Sequence, residues 1–314
     1  MTVTNTQTPV ISIRNLSKSL GGRRILNNIS FDVYPGEIFG FLGPNGSGKT
    51  TTIKVILGLL RLEAGEISIC SHDVRKEYED AIRNVGGIVE NPEMYKYLTG
   101  RQNLEIYRRM YDDVPPERIN EVVRIVRLEE RIDDKIAKYS LGMRQRLGIA
   151  QAILHKPKVL VLDEPTNGLD PAGIKELRDI FKSLAHDEGC SVFVSSHMLA
   201  ELEQMCDRVC VIDRGAILGM MTMEEIHGQT AGAESRFTLE TSDPQTACRI
   251  VAEITQNAEI SGNTVVFTSR RDDAARAVSA LCAEGVAVYS MTRATKSLEQ
   301  AFMEITAREG GVGV

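Results

Sequence analysis

The octet Gly43-Pro44-Asn45-Gly46-Ser47-Gly48-Lys49-Thr50 fits G-x-x-x-x-G-K-[ST] at every position. Glycines there let backbone N–H groups turn inward and approach phosphate oxygens closely. Lys49 offers a cation to β- and γ-phosphates, and the Thr50 hydroxyl is a hard oxygen ligand for Mg²⁺. A chance match is expected in roughly 1% of chains of this length, and a preceding strand and following helix lower that further. The pattern predicts ATP bound at residues 43–51, including Thr51, with hydrolysis assisted by Mg²⁺. A second run, Val159-Leu160-Val161-Leu162-Asp163-Glu164, ends an apolar strand in two acids. Such a strand end is solvated more often than catalytic. Beside a phosphate loop the odds reverse, giving Asp163 to the Mg²⁺ shell and Glu164 to a water near the γ-phosphate.

Those residues need strands that end at one edge of a sheet. The candidates are Ile11–Ile13, Ile29–Val33, Ile38–Leu42, Ile67–Ser71, Val85–Val89, Val159–Leu162, Val192–Ser195 and Val209–Ile212. Several are continuous apolar runs between turn residues, as in strands covered by helices on both faces. The loop octet follows Ile38–Leu42 and precedes a helical pattern over Thr51–Leu60. Residues 91–151 read as consecutive helices, with Ile119, Val122, Val123 and Val126 at helical spacing after Pro115-Pro116. The prediction is a mainly parallel α/β core at 10–220 with an inserted helical subdomain at about 91–151.

After Met220 the order is strand Phe237–Glu240, helix Gln245–Gln256, strands Glu259–Ser261 and Thr264–Thr268, a helix through Ala274, Val278, Leu281 and Cys282, and strand Val286–Tyr289. This β-α-β-β-α-β series predicts a small α+β domain of the split βαβ kind at 225–314. Ser297 and Gln300 form a capping box for a last helix through Leu298, Phe302 and Ile305.

The formal net charge of −6 gives no general attraction to nucleic acid or anionic lipid. Six cysteines without a Cys-x-x-Cys suit small buried thiols in a reducing compartment. The first ten residues lack a signal-peptide pattern, and no stretch approaches 18 apolar residues, so the expected location is cytosolic or peripheral.

Three further segments identify a family. Ser140-Leu141-Gly142-Met143-Arg144-Gln145-Arg146 precedes the acidic strand, Asn167-Gly168-Leu169-Asp170 follows it, and His197 closes Val194-Ser195-Ser196-His197. Over about residues 10–220 this ordered set resembles the nucleotide-binding subunits of ABC (ATP-binding cassette) transporters, a branch of the P-loop NTPases. The resemblance implies that Ser140 and Gly142 belong to the signature motif, Asp170 to the D-loop, and His197 to a γ-phosphate contact. Read without it, Ser140 is a helix N-cap and His197 a structural histidine. Three positions depart from the family pattern. Glu90 stands for the Q-loop glutamine, as a further Mg²⁺ ligand. The signature reads SLGMR, and Leu20 occupies the approximate place of the aromatic that stacks on adenine.

Glu90, SLGMRQRL and the stretch ENPEMYKYLTGRQNLE look like the bacitracin-resistance and lantibiotic-immunity group of exporters. SLEQAFMEIT resembles the tail of related exporter ATPases. The resemblance implies two cassettes, identical in the simplest pairing, closing head-to-tail over two ATP molecules. Glu164, Lys49 and His197 would carry catalysis. It also implies a separate polytopic permease, peripheral attachment at the cytoplasmic face of the membrane, and no nucleic acid. Tyr95, Tyr97 and Tyr107 are candidate permease contacts, with ordinary packing as the alternative. A soluble ABC ATPase acting on ribosomes or DNA is the competing function.

Overall fold

Strand β3 (Ile38–Leu42) is buried along its whole length, as are β7 (Val159–Leu162) and β8 (Ser191–Ser196). Continuous apolar runs of this kind belong inside a sheet covered on both faces. In the computed structural model, which describes residues 7–225 and 235–294, these strands form the centre of a six-stranded sheet. With β6 (Val85–Ile88), β9 (Arg208–Asp213) and β10 (Ala216–Thr222), the order is β10-β9-β3-β8-β7-β6. The pairs β9/β3, β3/β8, β8/β7 and β7/β6 are parallel. Leu42 therefore lies level with Ser196, and Leu162 with Val194, so the chemistry-bearing loops leave one edge together.

Three strand candidates go elsewhere. β1 (Ile11–Leu20), β2 (Arg23–Val33), β4 (Ala64–Ile69) and the short β5 (His72–Asp73) form a separate antiparallel sheet of order β2-β1-β4-β5. β1 and β2 run well beyond the predicted apolar cores. One face of an antiparallel sheet accepts polar residues, and β1 carries a register shift around Asn15, whose φ is 52°. Phe31 from this sheet meets Phe39, Phe41 and Phe193 from the other, with ring centroids 5.4–5.9 Å apart. Each of these buried rings contributes about 1.5–3 kcal/mol through the area it removes from water. The cluster thus fixes the two sheets against each other beneath the loop.

Helix α1 (Lys49–Ile56) leaves the octet but stops short of the predicted Leu60, because the chain turns left-handed at Gly58 (φ 71°). α2 (Tyr78–Ile82) precedes β6. The helical segment contains α3 (Gly100–Arg108), α4 (Arg118–Ile125) and α5 (Leu141–Ala152). Thr99 and Gln102 cap α3 reciprocally, and Ile119, Val122 and Val123 are the buried face of α4. Beyond β7 come α6 (Pro171–Lys182) and α7 (Leu199–Glu203).

The chain divides into two compact units between Met221 and Thr222. The second contains β11 (Ser235–Thr241), α8 (Pro244–Ile254), β12 (Gln256–Ser261), β13 (Thr264–Ser269), α9 (Arg271–Ala283) and β14 (Val288–Ala294). Its sheet order, β12-β13-β11-β14, with antiparallel pairs throughout, is that of a split βαβ unit. Phe237, Leu239, Val265 and Phe267 pack beneath Ala247, Val251, Ala277 and Leu281. The predicted last helix and its capping box lie outside the described residues. The six cysteines are free thiols, but only Cys190, Cys206 and Cys210 are buried, and Cys282 is exposed.

Candidate active site

The octet becomes a cradle at the point where β3 gives way to α1. Gly48 is the N-cap of α1 with φ 112°, a conformation reserved in practice for glycine, and a Cβ there would stand 2.6 Å from Leu26 Cδ2. A glycine cap has no side chain for the first-turn N–H groups, and the first turn carries no acid. The helix therefore presents free donors and a positive end, which is an anion site. Ser47 Oγ is buried with no partner, an orphan that a phosphate oxygen would satisfy. Lys49, 5% exposed, is turned back so that Nζ donates to the carbonyls of Gly43 (2.6 Å) and Pro44 (3.2 Å). Pro44, Asn45 and Gly46 are exposed at the rim, and Thr50 and Thr51 are half-buried.

The acids of β7 arrive beside this loop. Asp163 is buried, and its Oδ1 accepts from Ser195 Oγ at 2.7 Å. Glu164 has φ 48°, strained for a non-glycine residue at a cost of about 1–3 kcal/mol. Its N–H donates to the same Ser195 hydroxyl at 3.0 Å, which holds that turn. Glu164 Oε1 lies 3.1 Å from Lys49 Nζ, and Oε2 lies 2.6 Å from His197 Nδ1. Lys49, Asp163, Glu164 and His197 thus form one connected cluster with Ser195 at its base. Ser195 was invisible to motif reading, although its place two residues before His197 was the available signal.

The donor set suits a hard, hydrated cation. Thr50 and Asp163 offer only oxygen, and no group of three or more His, Cys, Asp or Glu among the described residues could hold a metal without other ligands. Mg²⁺ is characteristically held in this manner, by one or two protein oxygens with phosphates and waters completing the octahedron.

Other predicted residues stand apart from that cluster. Glu90, at φ 62° and 69% exposed, pairs with Lys54 Nζ at 3.2 Å. Ser140 is the N-cap of α5, its Oγ accepting from Met143 N–H at 3.2 Å, and Asp170 caps α6 through Gly173 N–H at 2.9 Å. A Cβ at Gly142 would be in van der Waals contact with Leu169 Cδ2. Leu20 ends β1, exposed and paired in register with Arg23. Tyr95 and Tyr97 are exposed and meet edge to face at 6.0 Å, whereas Tyr107 is half-buried with its hydroxyl toward Glu93 O.

Residues 26–167 match the family described as ABC transporter. The chain is 42% identical over 297 residues to an uncharacterized ABC transporter ATP-binding protein, YhcH, of Bacillus subtilis (strain 168), covering 95% of this chain and 96% of that one. It is 44% identical over 209 residues to the bacitracin transport ATP-binding protein BcrA of Bacillus licheniformis, covering 67% and 68% respectively. Among solved structures, the ATP binding subunit of an ABC transporter superposes with TM-score 0.62 at 31% identity, covering 70% of this chain and 92% of that one.

Proposed function

The chain belongs to the ABC transporter ATP-binding family, and from that premise we propose that it powers export of a drug or peptide antibiotic through a separate polytopic membrane subunit. It binds ATP and hydrolyses it, as an ATPase of this family. Kinship to a bacitracin transport ATP-binding protein, with the cluster of Lys49, Asp163, Glu164 and His197 intact, carries the reading. The same kinship favours transport over action on ribosomes or DNA.

In this reading the triphosphate lies along residues 43–51, and Lys49 exchanges Glu164 for the β- and γ-phosphates. Thr50 and Asp163 would hold Mg²⁺, joined by Glu90 once it leaves Lys54, and the ion would supply positive charge where the phosphoryl group is transferred. Glu164, released from Lys49, orients or deprotonates water for in-line attack, and His197 stabilises the γ-phosphate. Ser140 and Gly142 of a second, identical cassette close over the nucleotide, with Asp170 at the same seam. Each cassette alone therefore carries half of two sites.

Among the described residues no helix is long and apolar enough to cross a membrane, so coupling requires a docking surface. The exposed Tyr95, Tyr97, Ile106 and Met110 supply an apolar surface on the helical segment, suited to a permease loop at the cytoplasmic face. The test is membrane fractionation of cells expressing the chain with and without a candidate polytopic permease. The expected result is membrane recovery only on co-expression, lost in the Tyr97→Glu/Met110→Asp variant. Recovery in the soluble fraction under both conditions would sink the permease partnership.

A further inference from the structure

Thr166 and Ser196 lie on two different segments of the site. Thr166 follows Glu164 by two residues, and Ser196 immediately precedes His197. Their side chains are 5% and 2% exposed, so each hydroxyl needs a protein partner. Both find the same atom. Thr166 Oγ1 donates to Glu201 Oε2 at 2.7 Å, and Ser196 Oγ donates to it at 3.0 Å. Ser196 Oγ also accepts from Met198 N–H at 3.0 Å, while its carbonyl accepts from Gly43 N–H at 3.2 Å. Glu201 sits in the first turn of α7, where the positive end of the helix favours a carboxylate. One carboxylate therefore ties the loop after β7 to the end of β8, and through Ser196 to the first residue of the phosphate loop.

We infer that Glu201 is a positioning residue for hydrolysis: it fixes the segments carrying Glu164 and His197 in register without touching the nucleotide. The inference rests on the roles given above to Glu164 and His197. The chemistry required of residue 201 is acceptance of two hydroxyl protons. A glutamine retains a carbonyl oxygen able to do so. An alanine removes the acceptor of the Thr166 hydroxyl and leaves Ser196 Oγ only the Met198 carbonyl at 3.4 Å, so the tie between the two segments is lost. The consequence falls on attack geometry rather than on binding, since the triphosphate is held by the loop and Lys49. A displacement of about 1 Å at a reacting group costs about a hundredfold in rate.

Full-length Glu201→Ala, Glu201→Gln and Thr166→Val are compared with the wild type by steady-state ATP hydrolysis, binding of a fluorescent ATP analogue and thermal unfolding. For Glu201→Ala, kcat should fall at least about tenfold while KM and analogue binding stay within about twofold. Glu201→Gln should recover kcat to within about threefold of wild type, and Thr166→Val should fall between. Unchanged kcat in Glu201→Ala, an equal loss of affinity and rate, or a glutamine variant as impaired as alanine would each overturn the proposal. Should Glu201→Ala fail to fold, full kcat in Thr166→Val overturns it instead. Glu164→Gln run in parallel separates the two readings. A wild-type rate there removes the assigned base, whereas a wild-type rate in Glu201→Ala beside an inactive Glu164→Gln removes only the positioning role.

Discussion

Glu164→Gln makes two demands that pull in opposite directions. In the structure the carboxylate faces Lys49 at 3.1 Å and His197 at 2.6 Å. A unit-charge pair at the first distance attracts by about 5 kcal/mol at an effective dielectric of 20. Desolvation on both sides and the hydrogen bonds an amide still makes cut the net difference to about 1–2 kcal/mol. ATP must take Lys49 away from Glu164, so removing the charge removes that competition. Nucleotide affinity should therefore rise about five- to thirtyfold, at roughly 1.4 kcal/mol per tenfold. Hydrolysis should meanwhile fall by about 10²–10⁴, the usual contribution of a general base. Equilibrium binding of a fluorescent ATP analogue and phosphate release measure the two effects on one preparation. Gel filtration with ATP adds a third readout, a shift toward dimer. Hydrolysis within a factor of about three of wild type would refute the base assignment. Slowed hydrolysis with unchanged affinity would refute the competition between Glu164 and phosphate for Lys49.

Three further outcomes follow from pairs the structure exposes. Glu90, in the place of the Q-loop glutamine, is proposed to couple hydrolysis to transport, so Glu90→Ala should lower transport more than the ATPase activity of the isolated chain, and equal losses would count against that role. Because the Lys54–Glu90 pair is solvated, Lys54→Met should change thermal stability by less than about 1 kcal/mol. His155 is stacked on Tyr111 at 4.7 Å, its Nε2 donating to Val85 O and its Nδ1 buried without a partner. Burial holds its pKa below the ordinary value. Above about pH 6.5 both folded and unfolded rings are neutral and the group contributes nothing. As pH falls through that value the unfolded chain binds the proton first, so stability declines until the folded ring also titrates. Melting temperature should therefore drop on acidification, and His155→Gln should flatten part of that drop. An identical slope in the variant would show that other groups govern it.

How much of this was written in the sequence depends on how local each interaction is. Ile38–Leu42 followed by the octet announces strand, phosphate loop and helix, because apolar continuity, glycine placement and the lysine all lie within one short segment. Val159–Glu164 is equally legible. The division into two sheets was not, since Ile11–Ile13, Ile29–Val33 and Ile67–Ser71 are apolar runs whose partners the residues do not name. Phe31 against Phe193 decides it, and that contact spans most of the unit. Ser195 binding Asp163, and Glu201 binding Thr166, join residues more than thirty apart whose types are ordinary for loops. The family resemblance gives Glu90 a place in the Mg²⁺ shell. Its observed partner, Lys54, lies on α1 one turn beyond Thr50, where periodicity suggests only a solvated helix face.

The departure at the signature segment has a physical account in the same terms. Leu141, in place of a glycine, reaches over Gly168, with its Cδ2 3.2 Å from where a Cβ would stand. A Cβ at Gly142 would in turn stand 3.8 Å from Leu169 Cδ2. Two leucines and two glycines thus interlock the start of α5 with the loop leading into α6. The caps of those helices, Ser140 and Asp170, are held as one piece, each already bonded to its own helix N-terminus. A larger residue at 168 would meet Leu141 and also strain a backbone at φ 76°. In the head-to-tail arrangement proposed above, both helix N-termini would face the opposite nucleotide. Gly142 places no side chain of its own at the α5 N-terminus, as the proposed anion contact there needs.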